Sequence, residues 1–376
     1  MIQASSGHRD LHSEQGALPG EHPGRSRDPV IKAVDIAWLE FEKPDLTRSE
    51  AFARAFGFQV LQRRPDEIQL RGTRKGAPCV IVRRGPHTRF AGAAFRAGDE
   101  ADLRRLADNF GTRVRRLPEG IGGQSVNLVD PSGMEVRVVA GVHELPELAV
   151  QQPHAFNFGD DLLRANIAQR PPRVPARVER LGHLVVQSTK YRETLNWYLD
   201  NLGMIVSDFL FFPGQRRRGP TMSFIRCDQG STPADHHTLA IALGPANRYV
   251  HSAYQVSDLD ALAAGGEYLR ERGYLRSWGI GRHIQGSQIF DYWRDDDGLL
   301  VEHFADSDMF DNTLEPGWAP FAASGLAQWG PPATRDFLGT DFKSARHELV
   351  SAITALGARN EFNISRLVGL LKVPVS

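Results

Sequence analysis

Residues 281–304 read GRHIQGSQIFDYWRDDDGLLVEHF. Two runs rich in aromatic and branched side chains flank a charged turn that closes on Gly298, a pattern that predicts a hairpin with strands over residues 287–293 and 299–304. Side chains alternate faces along a strand, so a hairpin centred near Asp296 places Tyr292, Leu300 and Glu302 on the same side of the sheet. Glu302 is then a carboxylate among apolar groups with a phenol beside it. Burying an unpaired carboxylate is costly, which leaves it in need of a cation or a metal. A lone glutamate near a strand end more often faces solvent, so the residues that could answer Glu302 decide the matter.

They lie upstream. His251 opens a strand over residues 251–256, and the helix over 259–272 that follows is stopped by Gly273 before the hairpin begins. The preceding segment repeats that order: a strand over 181–187 carrying His183, a helix over 191–202 ended by Gly203, then strands over 205–212, 221–227 and 237–243. Two further copies come earlier. One has a strand over 34–41, a helix running from a Thr47/Glu50 capping box to Phe56 and Gly57, and strands over 58–63, 67–71 and 79–83. The other has strands over 91–96, 125–129 and 135–139, with a helix over 102–110 stopped by Gly111.

Four βαβββ modules in tandem predict an α+β protein in which like packs on like. The expected division is a disordered arm over residues 1–29, a two-module domain over 30–145 and a Pro-containing linker over 146–177. A second two-module domain follows over 178–310, then an irregular strap and C-terminal helix over 311–376. Each domain is expected to curve its strands around a central cavity.

Comparison of the copies assigns the chemistry to one half. With the turn and helix-ending glycines as anchors, His183 falls opposite Ile36 or Ala37, His251 opposite Gly92, and Glu302 opposite Arg137. The first half has no metal-binding residue at these positions. Two imidazoles and one carboxylate are the facial triad of non-heme Fe(II) sites, which leaves coordination positions open for exogenous molecules. Mn(II) accepts the same donors. A closed structural zinc site would want a fourth protein ligand, and none is obvious.

The 376 residues carry 45 basic and 45 acidic side chains, a balance that argues against a nucleic-acid partner, whose phosphates would select an excess of Lys and Arg. The run Arg216–Arg218 reads as a solvated loop. No apolar run suits a bilayer, and Cys79 and Cys227 form no paired framework, so a cytoplasmic protein with free thiols and no membrane partner is expected. His8, His12 and His22, all in the arm, are expected to be solvated.

The segments LGHLVV (181–186), DHHTLAI (235–241), VHSAYQV (250–256) and the opening stretch resemble, in order and spacing, the type I extradiol ring-cleavage dioxygenases of the vicinal oxygen chelate superfamily, especially the 2,3-dihydroxybiphenyl dioxygenase branch. The resemblance covers most of residues 30–310, with its specific motifs inside 180–305. It implies an Fe(II) cofactor, a catecholic substrate, dioxygen as co-substrate, and ring opening beside the diol. By the same resemblance His183, His251 and Glu302 are the metal ligands and His237 is the general acid/base. Tyr292 is the phenol that hydrogen-bonds the ionised catechol oxygen, and His283 lies near the substrate oxygens. His236, Gln285, Phe290 and Trp278 are expected to line the substrate pocket. Gln285 stands where relatives often have a small polar residue, and Val250 where a second histidine is common.

Trp318, Phe321 and Trp329 of the strap are expected to cover the pocket. A helix over 347–358 with Leu349, Ile353 and Leu356 on one face is expected to pack on its own barrel or on another subunit of a homo-oligomer. Two other classes share the fold: isomerases or lyases using a different divalent metal, and non-catalytic proteins that bind aromatic ligands. The His237–Tyr292 pair speaks against the first and the triad against the second.

Overall fold

A computed structural model describes residues 14–340 and 342–375. The four predicted modules are present, joined two by two into an eight-stranded sheet built from residues 35–140 and an eleven-stranded sheet built mainly from residues 180–329. Within each sheet the two modules meet through their first strands. Asp35–Lys43 runs antiparallel to Arg89–Arg96, and Arg180–Ser188 runs antiparallel to Arg248–Gln255. Each of these strands also pairs in parallel with the last strand of its own module: Val80–Arg84, Glu135–Ala140, Leu239–Leu243 and Leu300–Ala305. Helix faces bearing Phe52, Phe56, Leu103, Leu106, Leu195, Leu199 and Leu202 pack on the sheets to form one shared core. Cys79 and Cys227 are free and buried, 5% and 2% exposed, and burial pushes the Cys79 thiol up to about 11. Among the described residues no helix is long and apolar enough to cross a membrane.

Local chemistry accounts for the element ends. The first helix, Leu46–Phe56, starts at Asp45 rather than at a Thr47 capping box. The Asp45 carboxylate accepts from the Thr47 and Arg48 amides at 2.9 and 3.0 Å, and Glu50 instead pairs with Arg54 and Arg63. Gly57 ends the helix with φ 110°, and a Cβ there would sit 1.6 Å from the Ala176 carbonyl oxygen, so only glycine fits the approach of the linker. Residues 146–177 form no helix and join neither sheet, with a single main-chain bridge between Phe158 and Asp161.

The half without ligands grips the hairpin of the other half. The buried Lys43 ammonium pairs with Asp295 and, at 3.1 Å, with Asp297, while Arg48 donates to the Asp296 carbonyl at 2.6 Å. Three residues of the turn are thus tied to the start of the first helix and the strand before it. At the other end of that helix, His303 stacks on Phe56 with ring centroids 3.7 Å apart and bonds the Phe56 carbonyl at 2.7 Å. Lys43 and Asp295 are each under 10% exposed, and breaking one side of such a pair strands a buried charge. Lys43→Ala is therefore expected to destabilise the protein by about 3 kcal/mol, read as a lowered urea midpoint at unchanged slope. A loss below about 0.5 kcal/mol would mean that the pair behaves as a surface contact.

Two expectations are corrected. Residues 14–29 do not form a disordered arm: Glu14–Gln15 pairs with Gly317–Pro320, the Gly24 carbonyl accepts from the Val206 amide at 2.7 Å, and Glu21 pairs with Arg216. His22 is half-buried rather than solvated, bonded to Asn196 at 2.8 Å with its ring edge against Phe209, whereas His8 and His12 lie outside the described residues. Arg216–Arg218, expected as a solvated loop, forms a single 3₁₀ turn in which Arg217 and Arg218 are exposed.

The strap is also more regular than its composition suggests. Gly317–Pro320 adds in parallel to Ile205–Phe211, and Ala327–Trp329 adds to Leu275–His283. The C-terminal segment holds two helices, Phe342–Leu356 and Ile364–Lys372, and in the first the inward residues among the described side chains are Ala352 and Ala355. Leu349 and Ile353 are 62% and 63% exposed, so that face does not pack on the chain's own barrel.

Candidate metal centre

The site is a row across one sheet. His183 pairs with Ala253, Ala253 with Glu302, Glu302 with Tyr292, and Tyr292 with Trp278, so these side chains stand side by side on the same face. His251 lies two residues before Ala253 and shares that face. Because Ala253 is small, the longer side chains of His183 and Glu302 can close over it, with His251 reaching the same point along the strand. The hairpin centre is Asp297, one residue beyond the sequence estimate, which puts Tyr292 directly opposite Glu302. Asp295 shapes its turn by accepting from the Asp297 and Leu299 amides at 2.9 and 2.8 Å.

The three predicted ligands converge. Nε2 of His183 and of His251 lie 3.4 and 3.3 Å from the same oxygen, Glu302 Oε2, and the three ligand atoms are all within 4.8 Å of one another. Glu302 is fully buried, yet neither of its oxygens has a hydrogen-bond partner in the protein. Burial alone would raise its carboxyl, but the two facing imidazoles hold it well below the usual carboxylate range. Burial in turn lowers His183, with Glu302 opposing. A buried, ionised and unbonded carboxylate facing two imidazole nitrogens suits a divalent cation, and these donors fit one. This is the one such cluster among the described residues. The rear nitrogens, Nδ1 of both histidines, have no bonded partner. Packing on His237 and Tyr292, at ring distances of 4.0 and 5.2 Å, orients the two rings instead.

Tyr292 and His283 border the cluster. The Tyr292 hydroxyl lies 2.9 Å from His283 Nε2, while Nδ1 of His283 bonds the Leu326 carbonyl at 2.7 Å. That second bond makes Nδ1 the donor, leaving Nε2 to accept from the phenol. Burial, with Glu302 adding to it, raises the Tyr292 hydroxyl far above its ordinary value, so it remains a donor at neutral pH. His237 is buried with its ring against His183. Burial first, and then the surrounding imidazoles, push it well below the ordinary histidine range, so it is neutral.

The residues expected to line the pocket divide. His236 is fully buried with both ring nitrogens engaged, Nδ1 with His237 and Nε2 with Asp208, so it offers none to a pocket. Phe290 and Trp278 are 0% and 1% exposed and pack on each other at 4.1 Å. They form the wall behind His283 and Tyr292 rather than a stacking surface. Gln285 is half-buried in the turn after His283. Trp318 packs at a tilt on Phe209 of the neighbouring strand, Phe321 stacks on Phe212, and Trp329 is 45% exposed beside Arg282, so none of the three covers the cluster. Residues the sequence did not single out pack beside Tyr292 instead. Phe337 packs on Tyr292 and Trp278 at 4.8 and 4.6 Å, with Leu326, Ala327 and Ala333 beside it.

No family model matches the chain. Metapyrocatechase 2 of Cupriavidus necator is 28% identical over 333 residues, covering 88% of this chain and 98% of that protein. The iron-dependent extradiol dioxygenase of Rhodococcus jostii is 22% identical over 318 residues, covering 78% and 95%. This chain is a homologue of the extradiol dioxygenases. The Mn(II)-bound glyoxalase from Novosphingobium aromaticivorans superposes on this extradiol dioxygenase homologue with a TM-score of 0.66 at 22% identity, covering 81% of this chain and 94% of that one. The shared architecture is the vicinal oxygen chelate fold.

The ligand-free half of the homologue shows what replaces the triad. Its corresponding row is Trp38, Ala94, Arg137 and Asn127, and Gly92 stands where His251 does. The Trp38 indole and the Arg137 guanidinium both converge on Glu40, so an ion pair takes the place of the triad. His183 therefore corresponds to Trp38, not to Ile36 or Ala37. Helix Tyr191–Leu202 has 12 residues against 11 in Leu46–Phe56, which displaces an alignment anchored on the glycines that end them.

Proposed function

We propose that the protein is an Fe(II)-dependent extradiol dioxygenase that opens the ring of a substituted catechol with dioxygen, incorporating both oxygen atoms. The observation that carries this reading is the meeting of an open His183–His251–Glu302 triad with a phenol, Tyr292, and a neutral buried imidazole, His237. When bound there, Fe(II) would supply the Lewis acidity and electron transfer that a catechol and dioxygen need in order to react.

The side chains supply the rest. Tyr292, held by His283, donates a hydrogen bond to an ionised catechol oxygen and so favours the monoanion. His237, neutral at working pH, takes up a proton and returns it later in the turnover. Phe337 and its apolar neighbours restrict water on the Tyr292 side. Nothing in the scheme needs an external reductant, because the two atoms of dioxygen end in the product.

Aerobic mixing of the Fe(II)-loaded protein with a panel of catechols is expected to give a yellow ring-fission product from at least one of them. Bound iron without colour from any catechol would end the reading. The same donors hold Mn(II), and the Mn(II)-bound glyoxalase shares the fold, so metal analysis of the protein as purified and activity after reloading with each ion decide between the two metals.

A further inference from the structure

We propose that Asp208 and His236 are positioning residues that fix the ring tautomer of His237 through a buried relay. This rests on the role given to His237 above. The three side chains form a chain of short contacts: Asp208 Oδ2 to His236 Nε2 at 2.7 Å, and His236 Nδ1 to His237 Nδ1 at 3.0 Å.

Two like nitrogens at 3.0 Å bond only if one carries the proton and the other does not. Asp208 decides which. A carboxylate can only accept, so Nε2 of His236 carries a proton, and a ring holding that one proton presents a lone pair at Nδ1. His237 must then donate from Nδ1, which leaves the lone pair of its Nε2 free to receive a proton. The opposite tautomer would point an N–H where a base is required.

The surroundings hold the relay rather than merely permit it. Strand Ile205–Phe211 pairs Val206 with Ile225 and Asp208 with Phe224, so Ser207 is an extra residue in a bulge, which turns Asp208 toward His236. Ser207 Oγ donates to the His236 carbonyl at 2.5 Å, and the His236 amide donates to the Asp308 carbonyl at 2.9 Å, fixing the main chain at both ends. Gly286 lies against the ring: a Cβ there would be 3.0 Å from His236 Nδ1. Phe224 and Phe310 close the remaining sides at ring distances of 5.5 and 5.6 Å. A buried carboxylate and two buried imidazoles in a satisfied chain exceed what packing alone would ask for.

The test compares Asp208→Leu, Asp208→Asn and His236→Phe with the wild type. Leu removes the acceptor, whereas the amide oxygen of Asn can still accept from Nε2. D208L and H236F are expected to lower kcat about a hundredfold with metal content and catechol KM unchanged, and D208N to recover most of that loss. Independently of turnover, ¹⁵N shifts of labelled imidazoles in the Zn(II)-loaded protein are expected to show His237 as the Nδ1–H form in the wild type and as a mixture in D208L. Equal kcat for D208L and a wild type that does cleave catechol would overturn the proposal, as would an Nε2–H His237 in the wild type. If the wild type cleaves no catechol, the dioxygenase reading fails, and the tautomer measurement still decides whether the relay exists.

Discussion

Glu302→Gln is expected to remove metal binding and ring cleavage together. The carboxylate is the one anionic member of the triad, and both of its oxygens are buried and unbonded. An amide keeps the shape and loses the charge. Metal content should fall to a small fraction of the wild-type value, and activity by more than about 10³-fold, beyond the 10–100-fold typical of losing an outer partner. Stability separates this from misfolding. An ion at a hundred times its Kd stabilises the wild type by about 2.7 kcal/mol, a shift the variant should lack. Without metal the amide keeps the shape of the carboxylate and loses only its attraction to the two facing imidazoles, so the variant should still fold cooperatively. A metal-free variant that fails to fold would show that Glu302 serves the fold instead.

His237→Phe is expected to spare metal and substrate binding and to slow turnover by about 10²–10⁴-fold. The phenyl ring fits among His183 and Phe224, whose rings lie 4.0 and 5.0 Å from that of His237. It has no nitrogen to exchange a proton. The loss should fall on kcat, with catechol KM changing by less than about threefold, as for an interaction used only on the way to the transition state. An unchanged kcat would remove His237 from the mechanism, and metal loss would place it in the ligand set.

Much of the architecture was legible because it is local. Period-2 alternation around an Asp- and Gly-rich turn places Tyr292 and Glu302 on one face whether the centre is Asp296 or Asp297, since a shift of one in the centre keeps even-numbered residues together. The helix-ending glycines marked modules for the same reason: Gly57, Gly111 and Gly203 adopt φ of 110°, 60° and 60°, which side chains avoid. Long-range features were not legible. Asp208 reaches His236 only through a bulge, and Phe337 reaches Tyr292 only after the strap has added two strands to the sheet. The segment over 14–29 reads as unstructured because its sequence lacks an apolar period, yet main-chain bonds from Gly24 and the Glu14–Gln15 strand need no period at all. Trp318 reads as a pocket aromatic by type, but its place in Gly317–Pro320 sends it to Phe209.

The grip of the ligand-free half on the turn and on His303 bears on how such a protein can be cut or altered. Glu302 sits between a turn pinned by Lys43 and Arg48 and a neighbour stacked on Phe56. The duplicated half thus serves as a splint for the arm that carries Glu302. A fragment beginning at residue 178 would retain His183, His251 and Glu302 and still lose the brace that aims one of them. Sequence drift at Phe56 or Lys43, distant in the chain from Glu302, would register at the proposed metal site.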